Sequence, residues 1–299
     1  MTSPAPGAPR AANRRGVLAM CGAMACLVAN DTLVKFASQS LPASELIFVR
    51  GVFATALLLV LVRVMGLGGQ LPALLDRRVL LRAVLDGLGT LAYLLSLFHL
   101  PLANTNAINM AAPLFITVFA ALLFHEHVAA ARWAAVGVGF TGVLLVVQPV
   151  GSAFNAFALL CLLGALLNAS RDIVTRTIPR GVHALLITLT TAVIVLLLSA
   201  GWGLFQPWRP LTAGQLALLA AASVCLSGGY LLLTVSMRNG DLSLVAPFRY
   251  TALLFAVVLG YVVWSDVPNA TAWTGIALLV GAGLFVLQRE RSRSAPAAR

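Results

Sequence analysis

Between residues 16 and 288 the chain is almost without a polar stretch long enough to fold in water. Ten apolar runs follow one another, at 16–37, 43–65, 79–98, 101–123, 131–148, 153–176, 182–201, 212–236, 241–264 and 270–288. A helix needs roughly 20 apolar residues to cross the hydrocarbon core of a bilayer. Pro42, Pro72, Pro101, Pro149, Pro179, Pro210 and Pro268 fall at or near the breaks, where the ring removes an N–H and stops a helix. Charged residues make up 10% of the chain, against about 25% in soluble domains. Too little polar surface remains to face water, so the chain is expected to be an all-α membrane protein of ten spans with the lipid bilayer as its solvent.

The net charge of +11 does not point to nucleic acid. The basic residues sit between the apolar runs, where topology signals sit. With the N-terminus in the cytoplasm, sixteen of the 20 basic residues fall on the cytoplasmic side. Only Lys35 and Arg209 fall outside, while Arg50 and Arg249 lie within spans. That asymmetry predicts an even number of helices with both termini inside. Residues 1–15 read as a disordered basic N-terminus and 289–299 as a basic tail. The apolar run after Arg15 lacks a small-residue cleavage site and reads as the first span rather than a signal peptide. Cys21, Cys26, Cys161 and Cys225 all lie in apolar runs and read as small hydrophobes. Their spacing suggests neither a metal site nor a disulfide framework.

The two halves resemble each other. Glu126, Trp133 and Gln148 recur as Asp266, Trp273 and Gln288 at the same spacings, and Asp31 and Lys35 recur as Asp172 and Arg176. The repeat is about 140 residues long and divides the chain into 16–148 and 153–288. Five spans is an odd number, so the second half enters the membrane inverted, the plan of many secondary transporters. Pro113 and Pro247 match only with an offset, which requires a length change between the fourth and ninth spans.

These residues resemble the drug/metabolite transporter superfamily in its EamA branch. The resemblance rests on Asn30-Asp31 through Lys35, Glu45 and Arg50, Ala112-Pro113, Glu126, Ala246-Pro247-Phe248-Arg249-Tyr250 and Asp266, where the family more often has Glu. It covers roughly 16–288. It implies ten helices, both termini on the cytoplasmic side of a bacterial-type inner membrane, and a central cavity between the repeats. It also implies export of amino acids and related compounds, exporters of aromatic amino acids being nearest in pattern, with S-adenosylmethionine uptake as the competing reading. A monomer acting on a small-molecule substrate is expected, with no cofactor.

An ionisable residue at a membrane helix centre costs about 2.5–3.5 kcal/mol on insertion scales, so Arg50, Asp86 and Arg249 are the first candidates. Arg50 can bind a substrate carboxylate or pair with Asp31 or Glu45. Asp86 can take up a proton, receive a substrate amine, or pair with Arg82 one turn earlier. Arg249 has no acid within four residues and needs another helix, a water-filled cavity or an anionic ligand. Asp31/Lys35 and Asp172/Arg176 are i, i+4 pairs in the favoured order. They read either as helix stabilisation or as gates at opposite ends. Tyr93 and Tyr230 stand at matching places, and with Asn106, Asn109, Asn168 and Tyr250 they can contact a polar substrate or bond helix to helix.

Two patterns mislead. Gly137-x-Gly139-x-x-Gly142 spells a dinucleotide fingerprint inside an apolar helix with no preceding strand, so close helix packing is the better reading, as for Gly281-x-Gly283. His125-Glu126-His127 puts its histidines on different helix faces and is no zinc motif. With no phosphate loop, a secondary carrier working by alternating access is the expectation. An intramembrane enzyme and a non-transporting scaffold are the rivals from other classes.

Overall fold

The computed structural model describes residues 8–123, 130–148, 155–179, 181–239 and 242–294. The helices are α1 (Ala8–Ala37), α2 (Ala43–Val64), α3 (Arg77–His99), α4 (Leu102–Asn109), α5 (Ala112–Leu123), α6 (Ala130–Val147), α7 (Ala156–Thr175), α8 (Ala184–Gly203), α9 (Ala213–Asn239), α10 (Leu242–Val245), α11 (Thr251–Trp264) and α12 (Ala270–Ser294). Among the described residues there is no strand, and nine helical stretches are long and apolar enough to cross a membrane. A further apolar stretch, Ala270–Val286, lies in α12. Helix α1 begins already at Ala8 and α12 runs on to Ser294, so parts of both expected tails are helical. Glu126 and the His125–His127 pattern lie outside the described residues.

Several helix starts are capped by side chains. The Asp76 carboxylate accepts from the N–H groups of Arg78 (2.8 Å) and Val79 (3.4 Å) at the start of α3. Asn155 accepts from Phe157 N (2.9 Å) to open α7, and the His183 Nδ1 accepts from Leu185 N (3.2 Å) to open α8. Such caps satisfy donors that a helix start otherwise leaves bare.

Two spans expected to be continuous are broken. The fourth stops at Asn109 and restarts at Ala112, and the ninth passes from α10 through a 3-10 turn at Ala246–Tyr250 into α11. Pro113 and Pro247 stand at these two restarts. A proline inside a helix removes one hydrogen bond and crowds the carbonyl four residues back, which accounts for both interruptions.

The packing is selective. Helix α1 lies along α9, α3 along α7, α6 along α12 and α2 along α8, while α4 packs on α11. Glycine lets some backbones touch. A Cβ on Gly142 would meet the Gly275 carbonyl oxygen at 2.6 Å, and one on Gly275 would meet the Gly142 oxygen at 2.5 Å. A Cβ on Gly164 of α7 would lie 3.2 Å from the Gly89 oxygen of α3. Helices in lipid associate through such close van der Waals contact, because lipid is as apolar as the side chains. The packing role expected for Gly139 and Gly142 holds, since Gly139 faces Leu114. Gly137 and Gly281 face open space instead.

Candidate functional site

Three polar clusters stand inside the bundle. The first joins α1, α2 and α3. The Tyr93 hydroxyl donates to Asp31 Oδ2 (2.6 Å), and the Asn30 amide donates to Asp31 Oδ1 (3.0 Å). The other end of the same amide accepts from Arg50 (3.4 Å). Arg50 and Asp31 act on each other electrostatically, yet no ion pair within 4.0 Å joins them. Asn106 of α4 also borders Asp31, while its amide donates to its own helix at Leu102 O (3.1 Å).

The second cluster joins α3 and α7. Asp86 is held by Arg82 one turn back (3.0 Å) and by Arg171 (2.6 Å). Arg171 also reaches Asp172 (2.8 Å), and Arg82 donates to Thr191 Oγ1 of α8 (2.6 Å). Two acids and two guanidinium groups balance here, with both Asp86 oxygens and one Asp172 oxygen facing a cation. Asn168 of α7 donates to Asn109 (3.3 Å) nearby, so these two amides bond helix to helix.

Tyr230 of α9 stands between these clusters. Its hydroxyl lies in the field of Arg50, Asp86, Arg171 and Arg82, on α2, α3 and α7, yet the residue is 51% exposed. Tyr230 thus brings accessible polar surface close to the buried Arg50 and Asp86 and the half-buried Arg82 and Arg171.

The third cluster closes one end. Lys35 donates to the Leu100 carbonyl, lies 3.8 Å from Asp266 and sits 5.0 Å from the centroid of a Trp264 ring. Nearby, Ser44 donates to Gln206 (2.7 Å) and the buried Glu45 accepts from Arg209 N (3.0 Å). These bonds latch the loop between α8 and α9 onto the start of α2.

This geometry corrects several expectations. Lys35 turns to Asp266 and not to Asp31, which is taken up by Tyr93 and Asn30. Glu45 serves a loop backbone and leaves Arg50 alone. Asp172 also bonds its neighbour Arg171, and Arg176 stands exposed at the end of α7. Arg249 is exposed and joins none of the clusters. Tyr250 packs into the apolar cluster of α4, α6, α7 and α12, against Gly283. Asn30 and Arg171 escaped the sequence reading as site residues. The offset that relates Asp31 to Asp172 also relates Asn30 to Arg171, so each stands beside an acid at matching places, and that signal could have found them.

A multi-pass helical membrane protein with charged and amide groups clustered in its interior belongs among carriers of small molecules. The model of the EamA-like transporter family matches twice, at residues 14–148 and 155–288, and the chain belongs to that family. Over 216 residues it is 31% identical to a riboflavin transporter of Rhizobium johnstonii, covering 72% of each chain. It is 29% identical over 257 residues to the pseudopaline exporter CntI of Pseudomonas aeruginosa, covering 84% of this chain and 88% of that one. It is 26% identical over 264 residues to an S-adenosylmethionine uptake transporter of Rickettsia prowazekii, covering 88% of both. One solved crystal structure shares the fold at a TM-score of 0.64 and 18% identity, over 96% of this chain and all of that one.

Proposed function

We propose that this protein exports amino acids and related metabolites across the bacterial inner membrane by alternating access. The carrying observation is Tyr230, half exposed inside the bundle between the Arg50–Asn30–Asp31 cluster and the Asp86–Arg171 cluster. A non-transporting scaffold has no use for accessible polar surface at that depth. Accessible polar surface flanked by groups of both signs suits a carrier.

The working parts are two inverted repeats of five spans, residues 16–148 and 153–288. The packing supports this. Moving one repeat along turns α1 into α7 and α3 into α9, so the α1–α9 pair becomes the α7–α3 pair. Helices α6 and α12, and likewise α2 and α8, are each other's counterparts and pack together. Interrupted spans at corresponding places of two repeats mark binding sites in such carriers, and both breaks stand next to Ala-Pro. The Arg78 and Arg82 end is cytoplasmic by its excess of positive charge, with both termini on that side. The Lys35 end is then external and closed, and the protein acts as a monomer.

S-adenosylmethionine uptake is the second reading, favoured by a relative of that name matched over nearly nine-tenths of the chain. The test is counterflow in proteoliposomes with labelled amino acids, S-adenosylmethionine and riboflavin. Exchange of amino acids above empty liposomes supports the proposal, and exchange of S-adenosylmethionine alone moves the assignment to the second reading. No exchange of any of them overturns the carrier.

A further inference from the structure

We infer that the Arg50–Asn30–Asp31 cluster is the receptor for a zwitterionic α-amino-acid head group, with the substrate carboxylate on Arg50 and its ammonium on Asp31. The inference rests on the carrier reading above and names the chemical class of its substrate.

An acid and a guanidinium that act on each other inside a bundle commonly close into a bidentate pair. Here they do not: they stand apart, and the Asn30 carboxamide spans the gap. Its orientation is dictated by its neighbours, because a carboxylate only accepts and a guanidinium only donates. The NH2 therefore faces Asp31 (3.0 Å) and the oxygen faces Arg50 (3.4 Å). A donor towards the acid and an acceptor towards the base is the polarity that an α-amino acid presents with its ammonium and carboxylate. The amide is a neutral stand-in for the zwitterion.

The base is underused. Arg50 is 7% exposed, and a guanidinium carries five N–H donors. One long bond to Asn30 is its only side-chain hydrogen bond among the described residues. None of its nitrogens is a fully enclosed atom lacking a partner, so the remaining donors open onto accessible space. Tyr230 senses its charge across that space. A buried cation without a direct counter-ion is costly, and a bound carboxylate removes the cost. The Asp86 cluster cannot do this work, since Arg82 and Arg171 already saturate its acid. Asp31 retains capacity, since its two oxygens can take four donors and three groups, Tyr93, Asn30 and Asn106, stand against them.

The test uses the wild-type protein in proteoliposomes. The panel is labelled L-phenylalanine, L-leucine, L-methionine and L-histidine, with riboflavin as a neutral probe and tetraphenylphosphonium as a cationic one. Unlabelled competitors are the amino acid methyl ester, which lacks the carboxylate, and the des-amino acid, which lacks the ammonium. At least one amino acid is expected to exchange, and both analogues to compete roughly tenfold or more weakly than the parent, the factor set by one charge-assisted hydrogen bond. Arg50→Lys is expected to raise KM for the amino acid about tenfold while leaving kcat within a few-fold. Asp31→Asn is expected to weaken the parent and to leave the des-amino acid unaffected. If either analogue competes as well as its parent, the head-group assignment falls. Exchange of riboflavin or tetraphenylphosphonium alone also overturns it while the carrier stands. Exchange of nothing in the panel overturns both.

Discussion

Lys35 of α1 and Asp266 beyond α11 stand 3.8 Å apart, in the two segments that the family model matches separately. The Asp266 side chain is 36% exposed, so water screens the pair, and it is worth about 1 kcal/mol or less. That is enough to bias a two-state equilibrium about fivefold. Lys35→Gln is therefore expected to change the exchange rate severalfold, and the charge swap Lys35→Asp with Asp266→Lys to restore most of it. A cysteine pair at these positions, oxidised, is expected to stop exchange until reductant is added. Exchange at the full rate with the bridge cross-linked would show that this end does not open.

Asp86 holds two cations, so its loss leaves Arg82 without its acid and Arg171 with Asp172 alone. Breaking a buried pair from one side costs roughly 3–5 kcal/mol. Arg171 is partly open to solvent, which moves the expectation to the low end of that range. Asp86→Asn is expected to lower the thermal midpoint in detergent by several degrees. An unchanged thermal midpoint would show that the two guanidinium groups do not depend on Asp86.

The α6–α12 crossing gives a test with its own control. Gly142→Ala and Gly275→Ala each drive a methyl group into the opposite backbone, and overpacking of this kind costs about 1–3 kcal/mol. Gly137→Ala and Gly281→Ala add the same group on the same two helices where nothing stands within 4 Å. Thermal midpoints measured on the four variants are expected to fall for the first pair and hold for the second.

Sidedness can be read with a membrane-impermeant maleimide on intact cells, in a background without the four native cysteines. Gln39→Cys, beyond α1 at the Lys35 end, is expected to react. Gly68→Cys, in the turn after α2, is expected to react only after the membrane is permeabilised. The reverse pattern would invert the proposed orientation.

Hydropathy alone located the helices, because a span must be apolar along its whole length and the signal is long. Ends agreed to within a few residues outside the tails. The interruptions at 110–111 and 246–250 are not legible from Pro113 and Pro247 alone, since a proline near a span's middle can bend a helix without ending it. Partners were harder still. Spacing within one helix suggested Asp31 for Lys35, but Asp266, far along the chain, provides the nearer acid. Along the sequence Arg171 reads as one more topology charge, and only the packing of α7 on α3 gives it Asp86. Charge pairing across helices is a tertiary property, and periodicity along one helix carries no information about which neighbour it meets.

The glycine contact between α6 and α12 bears on how such a bundle moves. Two backbones in direct contact have no side chains between them to slide or repack, so this crossing resists shear. On the proposed alternating-access reading, α6 and α12 travel together as a keel, and the bending falls to the breaks near Pro113 and Pro247.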